Sequence, residues 1–243
     1  MELSIVGCLF VLDTKKNENK KKNDIQTLKI VVDKKTKGLI RNSFDSSLGI
    51  KDTIRTKIEK TIGSQEFHLE QVYTVGESKF YDDNKVDIIY MALTNRENIK
   101  NLDDQYELLD FEILNNNLII IGDQAIRYKT EKKIIAGSLE YYHQIKVDNL
   151  TLEKELLELL IAFKQLRFKM DNTDVCFKLL PKVFTLEDVR NVYELIKDIK
   201  VDKSNFRKRI IKYCEKVDMT VTDKGYRPSQ LYKFNSTSVD TWL

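Results

Sequence analysis

Five cationic residues are concentrated in the segment VDKSNFRKRIIKYC, within the ten positions from Lys203 to Lys212. Phe206, Ile210 and Cys214 recur there at every fourth residue, a spacing that places side chains on one face of a helix. Lysine and arginine on the opposite face could bind an anion. The segment therefore predicts either a basic helix whose apolar face is anchored so that its other face meets an anion, or a solvated basic helix that merely packs.

The distribution of charge supports a local anion-binding surface. The chain of 243 residues has a net charge of +3, but residues 1–150 carry 23 Lys and Arg against 24 Asp and Glu. Residues 200–233 carry 10 Lys and Arg against 4 Asp and Glu. Because the excess of positive charge lies near the C-terminus, we expect the anion-binding surface there.

Three segments that precede the basic one have the patterns of short elements. LEKELLELLIAFKQLRFKM, residues 152–170, carries the apolar stripe of a helix. VCFKLLP is a short apolar run of strand type that ends at Pro181. Thr185 is followed three residues later by Asp188, as in a capping box with Asp in place of Glu or Gln, which predicts the start of a second helix.

Asp202 lies where it can cap the third helix, which we expect to run from Lys203 to about Cys214. A β-hairpin with its turn at residues 223–225 follows. This order of helix, strand, helix, turn, helix and hairpin is that of a winged helix-turn-helix, in which the third helix enters the major groove and the hairpin reaches the DNA backbone. The predicted DNA-binding residues are Thr185, Lys203, Ser204, Asn205, Arg207, Lys208, Lys224 and Arg227.

Several of these residues have a simpler alternative role. Thr185 could act as a helix cap alone, Asn205 could stabilise its helix locally, and Arg227 could brace the hairpin. Arg207 is the strongest candidate for a guanine contact, because its guanidinium can pair two acceptors. A winged helix that binds a protein partner instead of DNA is a further alternative.

The first half of the chain is rich in β-type segments. LSIVGCLFVLD, TLKIVVD, FHLEQVYTVG, VDIIYMALT, YELLDFEI and NLIIIG read as strands, and the polar insert Thr14–Asn23 reads as a loop. Ile50, Ile54 and Ile58, followed by Gly63, predict one short helix with a glycine stop. We therefore expect an α+β or α/β domain that ends near residue 148.

No apolar run approaches the roughly 18 residues that a membrane span requires. The N-terminus has neither a basic region nor a small-residue cleavage site, so it is interpreted as a strand and not as a signal peptide. Three well-separated cysteines without metal-binding spacing fit a reducing compartment. We expect a cytoplasmic protein that has no membrane partner.

The C-terminal motifs resemble those of the Nudix-related transcriptional regulators, the NrtR family. The resemblance covers about residues 152–234 and is carried in order by Leu179–Pro181, Phe184–Leu186, Tyr193–Glu194, Asn205–Lys208 and Arg227–Phe234. Segments 68–77 and 88–94 are similar to parts of that family's Nudix-like domain.

The resemblance implies a Nudix-like α/β/α sandwich at residues 1–148, a winged helix-turn-helix domain at 149–235 and a tail at 236–243. It further implies a homodimer that binds double-stranded operator DNA, and a small-molecule effector related to nucleotides, with ADP-ribose as the first candidate.

Active Nudix hydrolases hold divalent metal with the glutamates of the pattern G-x5-E-x7-R-E-U-x-E-E-x-G-U. If Gly63 and Ile58 fix the register, no carboxylate occupies the aligned positions, which are Asn42, Leu48, Thr56, Lys57, Lys60 and Thr61. A shift of one residue recovers Arg55 and Glu59 but loses Gly63. We therefore expect no catalytic residue, no metal site and no cofactor.

Two questions about the first domain stay open at this point. A diverged nucleotide-diphosphate hydrolase is the alternative function, and a different acidic site could be built from Asp45, Asp52, Glu59, Glu66 and Glu70. For the regulator, we expect a phosphorylated or nucleotide-like effector in a cleft lined partly by Lys57 and Lys60, whose cations would replace the metal. The other ligand-binding residues are not predicted.

Overall fold

The computed structural model describes residues 2–15, 24–76, 85–114, 118–127, 129–135, 138–144, 150–221 and 229–236. The predicted loop Thr14–Asn23 lies outside these residues from position 16 onward, as does the boundary expected at residues 148 and 149. No helix in the described part of the chain is both long and apolar enough to cross a membrane.

Eight strands of the described first half form one mixed sheet. They are β1 (Glu2–Lys15), β2 (Ile25–Asp33), β3 (Ile40–Ser43), β4 (His68–Val75), β5 (Lys85–Asn95), β6 (Tyr106–Leu114), β7 (Leu118–Ile121) and β8 (Gln124–Arg127). The order is β4-β5-β1-β2-β6-β7-β8, with β3 paired to β1. The β1–β5 pair is parallel and the β1–β2 pair is antiparallel, so β1 lies at the centre of the fold. A separate hairpin follows, β9 (Lys129–Ile135) and β10 (Ser138–Gln144).

A helix covers each face of the sheet. Helix α1 (Ile50–Ile62) packs on the face formed by Ile5, Leu9 and Val11, and helix α2 (Leu150–Asn172) packs on the face formed by Phe10 and its neighbours. Successive side chains of a strand point to opposite faces of the sheet, so alternate residues of β1 pack into the core on one face and the core on the other. This arrangement confirms the predicted α/β/α sandwich.

Helix α1 confirms the predicted helix and its glycine stop, but Ile50 of the predicted stripe is 37% exposed. Ile54 and Ile58 are fully buried, and the helix ends at Gly63 in the left-handed conformation at φ 64°. Gly7 of β1 lets the helix approach closely, because a Cβ at that position would lie 3.2 Å from the side chains of Ile54 and Ile58. The helix is thus held by its core face.

The second half forms the winged helix. After a 3₁₀ turn (Asp174–Lys178) come α3 (Leu186–Lys197), α4 (Lys203–Ile210), a second 3₁₀ turn (Ile211–Tyr213), β11 (Cys214–Val221) and β12 (Ser229–Phe234). Phe184 exchanges two backbone hydrogen bonds with Tyr232 and so adds a short third pairing to the hairpin.

Two sequence predictions in this half are wrong in detail. The apolar run VCFKLLP is a 3₁₀ turn and not a strand, because the Thr173 hydroxyl caps it through the N–H of Val175 and the Lys178 ammonium pairs with Asp174 at 2.7 Å. Helix α4 ends at Ile210 and not near Cys214, which already begins β11 and is only half-buried.

Helix α2 is anchored to the sheet by buried charges. The Arg41 guanidinium on β3 donates to Asp87 of β5 at 2.7 Å, and to Glu155 and Glu158 of α2 at 3.0 and 2.6 Å. The side chains of Asp87 and Glu158 are 2% and 0% exposed. Lys154 adds a second cation 2.7 Å from Asp87. Three acids and two bases from three elements therefore meet inside the domain.

The two buried carboxyls divide one proton between them. Burial raises the pKa of Glu158 to about 8, against the opposing charge of Arg41. Burial would also raise the pKa of Asp87, but hydrogen bonds from Glu158, Lys154 and Arg41 lower it to about 2. The directions of the two shifts favour the protonated form at Glu158 and the carboxylate at Asp87.

This assignment predicts a pH dependence of stability. Because the pKa of Glu158 is higher in the folded chain than its ordinary value of 4.5, its contribution is fully present below about pH 4.5 and is lost as the pH rises toward about 8. Glu158→Gln cannot lose that proton. The free energy of unfolding of Glu158→Gln minus that of the wild type, measured by urea denaturation, should therefore rise by more than about 1 kcal/mol as the pH increases from about 5 to about 9.

Glu155→Gln is the matched control, because it removes another carboxylate that pairs with Arg41 and that accepts from the N–H of Leu39. It should destabilise the chain at both pH values. Parallel pH profiles for the wild type and Glu158→Gln would contradict the assignment of the shared proton.

Candidate nucleic-acid interface

Helix α4 is fixed to the winged helix by its ends and by one face. The Asp202 carboxylate accepts from the N–H of Asn205 at 2.9 Å, which confirms the predicted cap. Phe206 and Ile210 are 5% and 4% exposed, so they anchor the helix in the core as predicted. A basic helix of eight residues is thereby presented on a rigid support.

The predicted contact residues of α4 are all exposed, namely Lys203, Ser204, Asn205, Arg207 and Lys208. With 3.6 residues per turn, Ser204 and Lys208 lie opposite the buried pair, while Arg207 lies on one flank. Within the described residues, no salt bridge joins Lys203, Arg207 or Lys208 to an acid. Their charges are therefore available to an external anion.

The other two cations of the segment turn back onto aromatic rings. The Arg209 guanidinium carbon lies 5.0 Å from the ring centroid of Tyr193 and 5.3 Å from that of Phe206. The Lys212 ammonium lies 4.8 Å from the ring centroid of Tyr213. Both contacts are within the range of cation–π attraction, so these two residues brace the domain. The basic segment thus divides into bracing cations and outward-facing cations.

Arg207 and Thr185, which are 22 positions apart in sequence, line one groove. It has a volume of about 500 Å³ and lies between the start of α3, the flank of α4 and the start of β12. Its lining residues are Thr185, Leu186, Glu187, Arg207, Ser229, Gln230 and Tyr232. The Glu187 carboxylate brings a negative charge to the groove, but it forms an ion pair with the Arg190 guanidinium, whose Nη2 lies 3.2 Å from Oε1 of Glu187.

Thr185 is the N-cap of α3 in a reciprocal capping box. Its hydroxyl accepts from the N–H of Asp188 at 3.1 Å, and the Asp188 carboxylate accepts from the N–H and hydroxyl of Thr185, each at 2.8 Å. The predicted cap is confirmed. Because the hydroxyl hydrogen is already bonded, a phosphate contact here would come from N–H groups of the first helical turn.

The wing is only partly described. Lys224 and Arg227 lie outside the described residues, so their proposed contacts stay predictions. Near the turn of the hairpin, the Gln230 side-chain amide donates to the carbonyl of Val217 at 2.6 Å, within the register shift between Lys216 and Thr220. Ser229 and Gln230 were not predicted as groove residues. Their position directly after the Arg-Pro of the hairpin motif was the available signal.

The positions aligned with the Nudix metal ligands do not converge on one surface. Thr61 is buried and its hydroxyl donates to the carbonyl of Lys57 at 2.9 Å. The Lys57 ammonium lies 5.5 Å from the ring centroid of Tyr106, so Lys57 does not line the hollow at the end of α1, contrary to expectation. Thr56 and Lys60 do line it, together with Glu59, Gly63, Ser64, Gln65, Glu66 and Lys100.

Of the five acids of the alternative site, Glu59 and Glu66 line the same hollow, but the set does not form a group that could hold a metal ion. Asp45 binds Ser47, Glu66 pairs with Lys182 at 3.6 Å, and Glu70 pairs with Lys169 at 2.7 Å. Within the part of the chain that the structure describes, no group of three or more His, Cys, Asp or Glu is placed to hold a metal ion.

Comparison with known proteins assigns the fold. Residues 176–234 match the family model of the NrtR DNA-binding winged helix domain. The chain resembles a MutT/nudix family protein from Enterococcus faecalis with a TM-score of 0.67 and 19% identity, covering 97% of this chain and 88% of that one. It resembles NrtR from Shewanella oneidensis with a TM-score of 0.63 and 17% identity, covering 96% and 93%.

Two further comparisons concern DNA and an effector. The structure of Shewanella oneidensis NrtR complexed with a 27mer DNA matches with a TM-score of 0.60 and 16% identity, covering 96% of this chain and 93% of that one. The "ADPR responsive transcriptional repressor NtrR" of Acinetobacter baylyi is 37% identical over 75 residues. That alignment spans 30% of this chain and 30% of the relative. The chain thus has a Nudix-like domain followed by a winged helix of the NrtR type.

The capping box predicts a measurable contribution to stability. Thr185→Val keeps the shape of the side chain but removes the hydroxyl, so it should lower the free energy of unfolding by about 1 kcal/mol. Thr185→Ser, which keeps the hydroxyl, should lie within about 0.5 kcal/mol of the wild type. Urea denaturation measures both variants, and an unchanged midpoint for Thr185→Val would show that the box does not hold α3.

Proposed function

We propose that this chain is a cytoplasmic DNA-binding transcriptional regulator that acts as a homodimer, with α4 as the recognition helix. The observation that carries the proposal is the division of the basic segment into a buried anchor and outward cations that have no acidic partner among the described residues. The winged-helix order of elements and the match of residues 176–234 to an NrtR DNA-binding domain support it.

In this proposal, each exposed residue of α4 has a role that follows from its chemistry. Arg207 would pair with the two acceptors of a guanine edge, since its guanidinium presents a planar fork. Lys203 and Lys208 would neutralise phosphates, and Ser204 and Asn205 would contact bases or sugar-phosphate oxygens. Thr185 would hold the start of α3, whose first-turn amides would meet a phosphate, and Lys224 and Arg227 of the wing would contact phosphates.

Arg207→Ala tests the recognition helix. It should weaken binding to the preferred duplex by about 1–3 kcal/mol and relax the sequence preference, whereas Lys208→Ala should weaken all duplexes alike. Fluorescence anisotropy on a duplex selected from a randomised library, titrated at several salt concentrations, gives both quantities. Wild-type affinity should fall steeply with salt, because cationic contacts release counterions.

Lys51→Ala is the control, because Lys51 is an exposed cation on α1, far from α4 in sequence. It should leave duplex affinity unchanged. If Arg207→Ala binds the selected duplex as tightly as the wild type does, α4 is not the reading helix.

We also propose that the first domain senses a nucleotide-like or phosphorylated metabolite and has no hydrolase activity. No carboxylate occupies the aligned metal-ligand positions, and Thr61 at one of them is buried. Lys60 and Lys100 line the hollow at the end of α1, where they could offset phosphate charge without metal. Glu59 and Glu66 also line it, but they are paired with Arg55 at 4.0 Å and with Lys182 at 3.6 Å. The name of the Acinetobacter baylyi relative makes ADP-ribose the first ligand to test.

Calorimetric titration with ADP-ribose tests this second proposal. Heat of binding should be the same with Mg²⁺ and with EDTA, and Lys60→Ala should weaken binding. Chromatography after prolonged incubation with Mg²⁺ or Mn²⁺ should show intact ADP-ribose. Turnover on the order of 1 per second or more that persists after repurification would establish a hydrolase instead.

A further inference from the structure

Arg167 of α2 bonds to both halves of the chain. Its Nε donates to the carbonyl of Ile196 in α3 at 2.7 Å, and its Nη2 donates to the carbonyl of Ile113 in β6 at 3.0 Å. The first acceptor belongs to the winged helix and the second belongs to the sheet of the Nudix-like domain. One guanidinium therefore ties the backbone of a strand to the backbone of a helix in the other domain.

Each of these two carbonyls lies at the end of its helix or ladder, where the hydrogen-bond donor has to come from another part of the chain. Ile196 lies in the last turn of α3, where helix carbonyls have no intrahelical donor and where a cation is favoured by the helix dipole. Ile113 lies beyond the end of the β2–β6 ladder, whose pairs stop at Lys29 and Asp110. A lysine is less suited to both acceptors, because its three donors sit on one nitrogen at the end of a flexible stem, whereas Nε and Nη2 of arginine are separate donors in a rigid plane.

The fork of Arg167 is held by the core of the first domain. Its guanidinium carbon lies 4.9 Å from the ring centroid of Phe163, and that ring contacts the rings of Phe10 and Phe111 at centroid distances of 5.8 and 5.1 Å. Phe10 belongs to the central strand and Phe111 to β6. Movement of β6 would therefore reach Arg167 through the packed rings as well as through its hydrogen bond.

Asp171, one turn further along the same face of α2, makes the next contact. Its two carboxylate oxygens accept from the Tyr193 hydroxyl at 2.6 Å and from the Lys197 ammonium. Both donors are on α3. Together, Arg167 and Asp171 therefore hold the C-terminal half of α3 at two points.

Tyr193 extends the connection to the recognition helix. Its ring is 6% exposed, lies 5.2 Å from the ring of Phe206, and is covered by the Arg209 guanidinium. Phe206 and Arg209 are both on α4. A shift of α3 relative to α2 would thus be transmitted to α4 through side chains that are in direct contact.

We propose that Arg167 is the residue that couples the effector domain to the recognition helix, with Asp171 as its supporting contact on α3. This inference rests on the proposed function and names its internal regulation. Coupling is reciprocal, so if it runs through Arg167, a duplex bound at α4 should change hydrogen exchange in β6, whichever effector the first domain takes. The test can therefore use DNA alone.

The experiment is hydrogen exchange measured by mass spectrometry on the full chain, with and without a saturating duplex selected from a randomised library. In the wild type, the duplex should protect α4 and should change exchange in residues 110–114 of β6 by about fivefold or more. Arg167→Met should keep the protection of α4 but lose the response of β6. Arg167→Lys should lose most of the β6 response, because its single flexible nitrogen does not hold the two carbonyls in the fixed geometry of the guanidinium.

Lys169→Met is the matched control, because Lys169 of α2 pairs with Glu70 of β4 and with no acid of the winged helix among the described residues. It should keep the full β6 response. Asp171→Asn, which retains an acceptor for Tyr193, provides a second variant should Arg167→Met fail to fold, and it should reduce the response. Urea denaturation establishes that each variant is folded.

Two results would overturn the coupling role. One is an unchanged β6 in a wild type whose α4 is protected, and the other is a full β6 response in both Arg167 variants. A wild type whose α4 gains no protection from any selected duplex would refute the proposed function itself, and the coupling with it. The failure of the coupling and the failure of the function are thus distinguished by the state of α4.

Discussion

The position of α2 depends on a buried ion network, and the position of the winged helix depends on α2. Glu158 can remain fully buried because the Arg41 guanidinium donates to it at 2.6 Å and because burial raises its pKa toward the neutral form. An unpaired buried carboxylate would cost far more than such a pair returns, so the network specifies one placement of α2 on the sheet more than it adds stability. From that placement, the C-terminal half of α2 presents Arg167 and Asp171 to α3, and α3 in turn presents Tyr193 to α4.

Helix α4 illustrates why such a support is required. A helix of eight residues is too short to be stable alone, and four of its residues carry like charge. Its stability comes from the Asp202 cap, from two buried side chains and from the cation–π contacts of Arg209. The cations that face outward have no acidic partner among the described residues and repel one another, although Arg207 and Lys208 in the last turn are favoured by the helix dipole. Their concentration on one exposed face is therefore more readily explained by an external anion than by the fold.

Strong local signals allowed much of this fold to be predicted, and the errors occurred where local signals are ambiguous. The stripe of Ile54 and Ile58 with Gly63 determines α1, and Thr185 with Asp188 determines the start of α3, because each is a local interaction. The run VCFKLLP has no period that separates a strand from a 3₁₀ turn, and its conformation is decided by the capping of Thr173.

The direction of Lys57 depends on Tyr106, which lies far away in sequence, so α1 alone could not reveal it. Of the predicted interface, the sequence anticipated the exposed face of α4 but not the groove, because Ser229 and Gln230 join it only through hairpin pairing.

The core function of α1 is separable from any chemistry on its surface. Ile54, Ile58 and Ile62 pack into the core, with the first two over the gap that Gly7 leaves in β1, and this packing needs no carboxylate. Surface positions of the helix can therefore change without loss of the fold. A hydrolase needs acids there because it binds anionic phosphates through a metal ion, which the acids must hold. A protein that only binds such a ligand can neutralise the phosphates directly, and lysine at position 60, beside Lys100, has the charge for that task. Lys60, at one of the aligned ligand positions, therefore fits the role proposed for this domain, which is to bind an anion without metal.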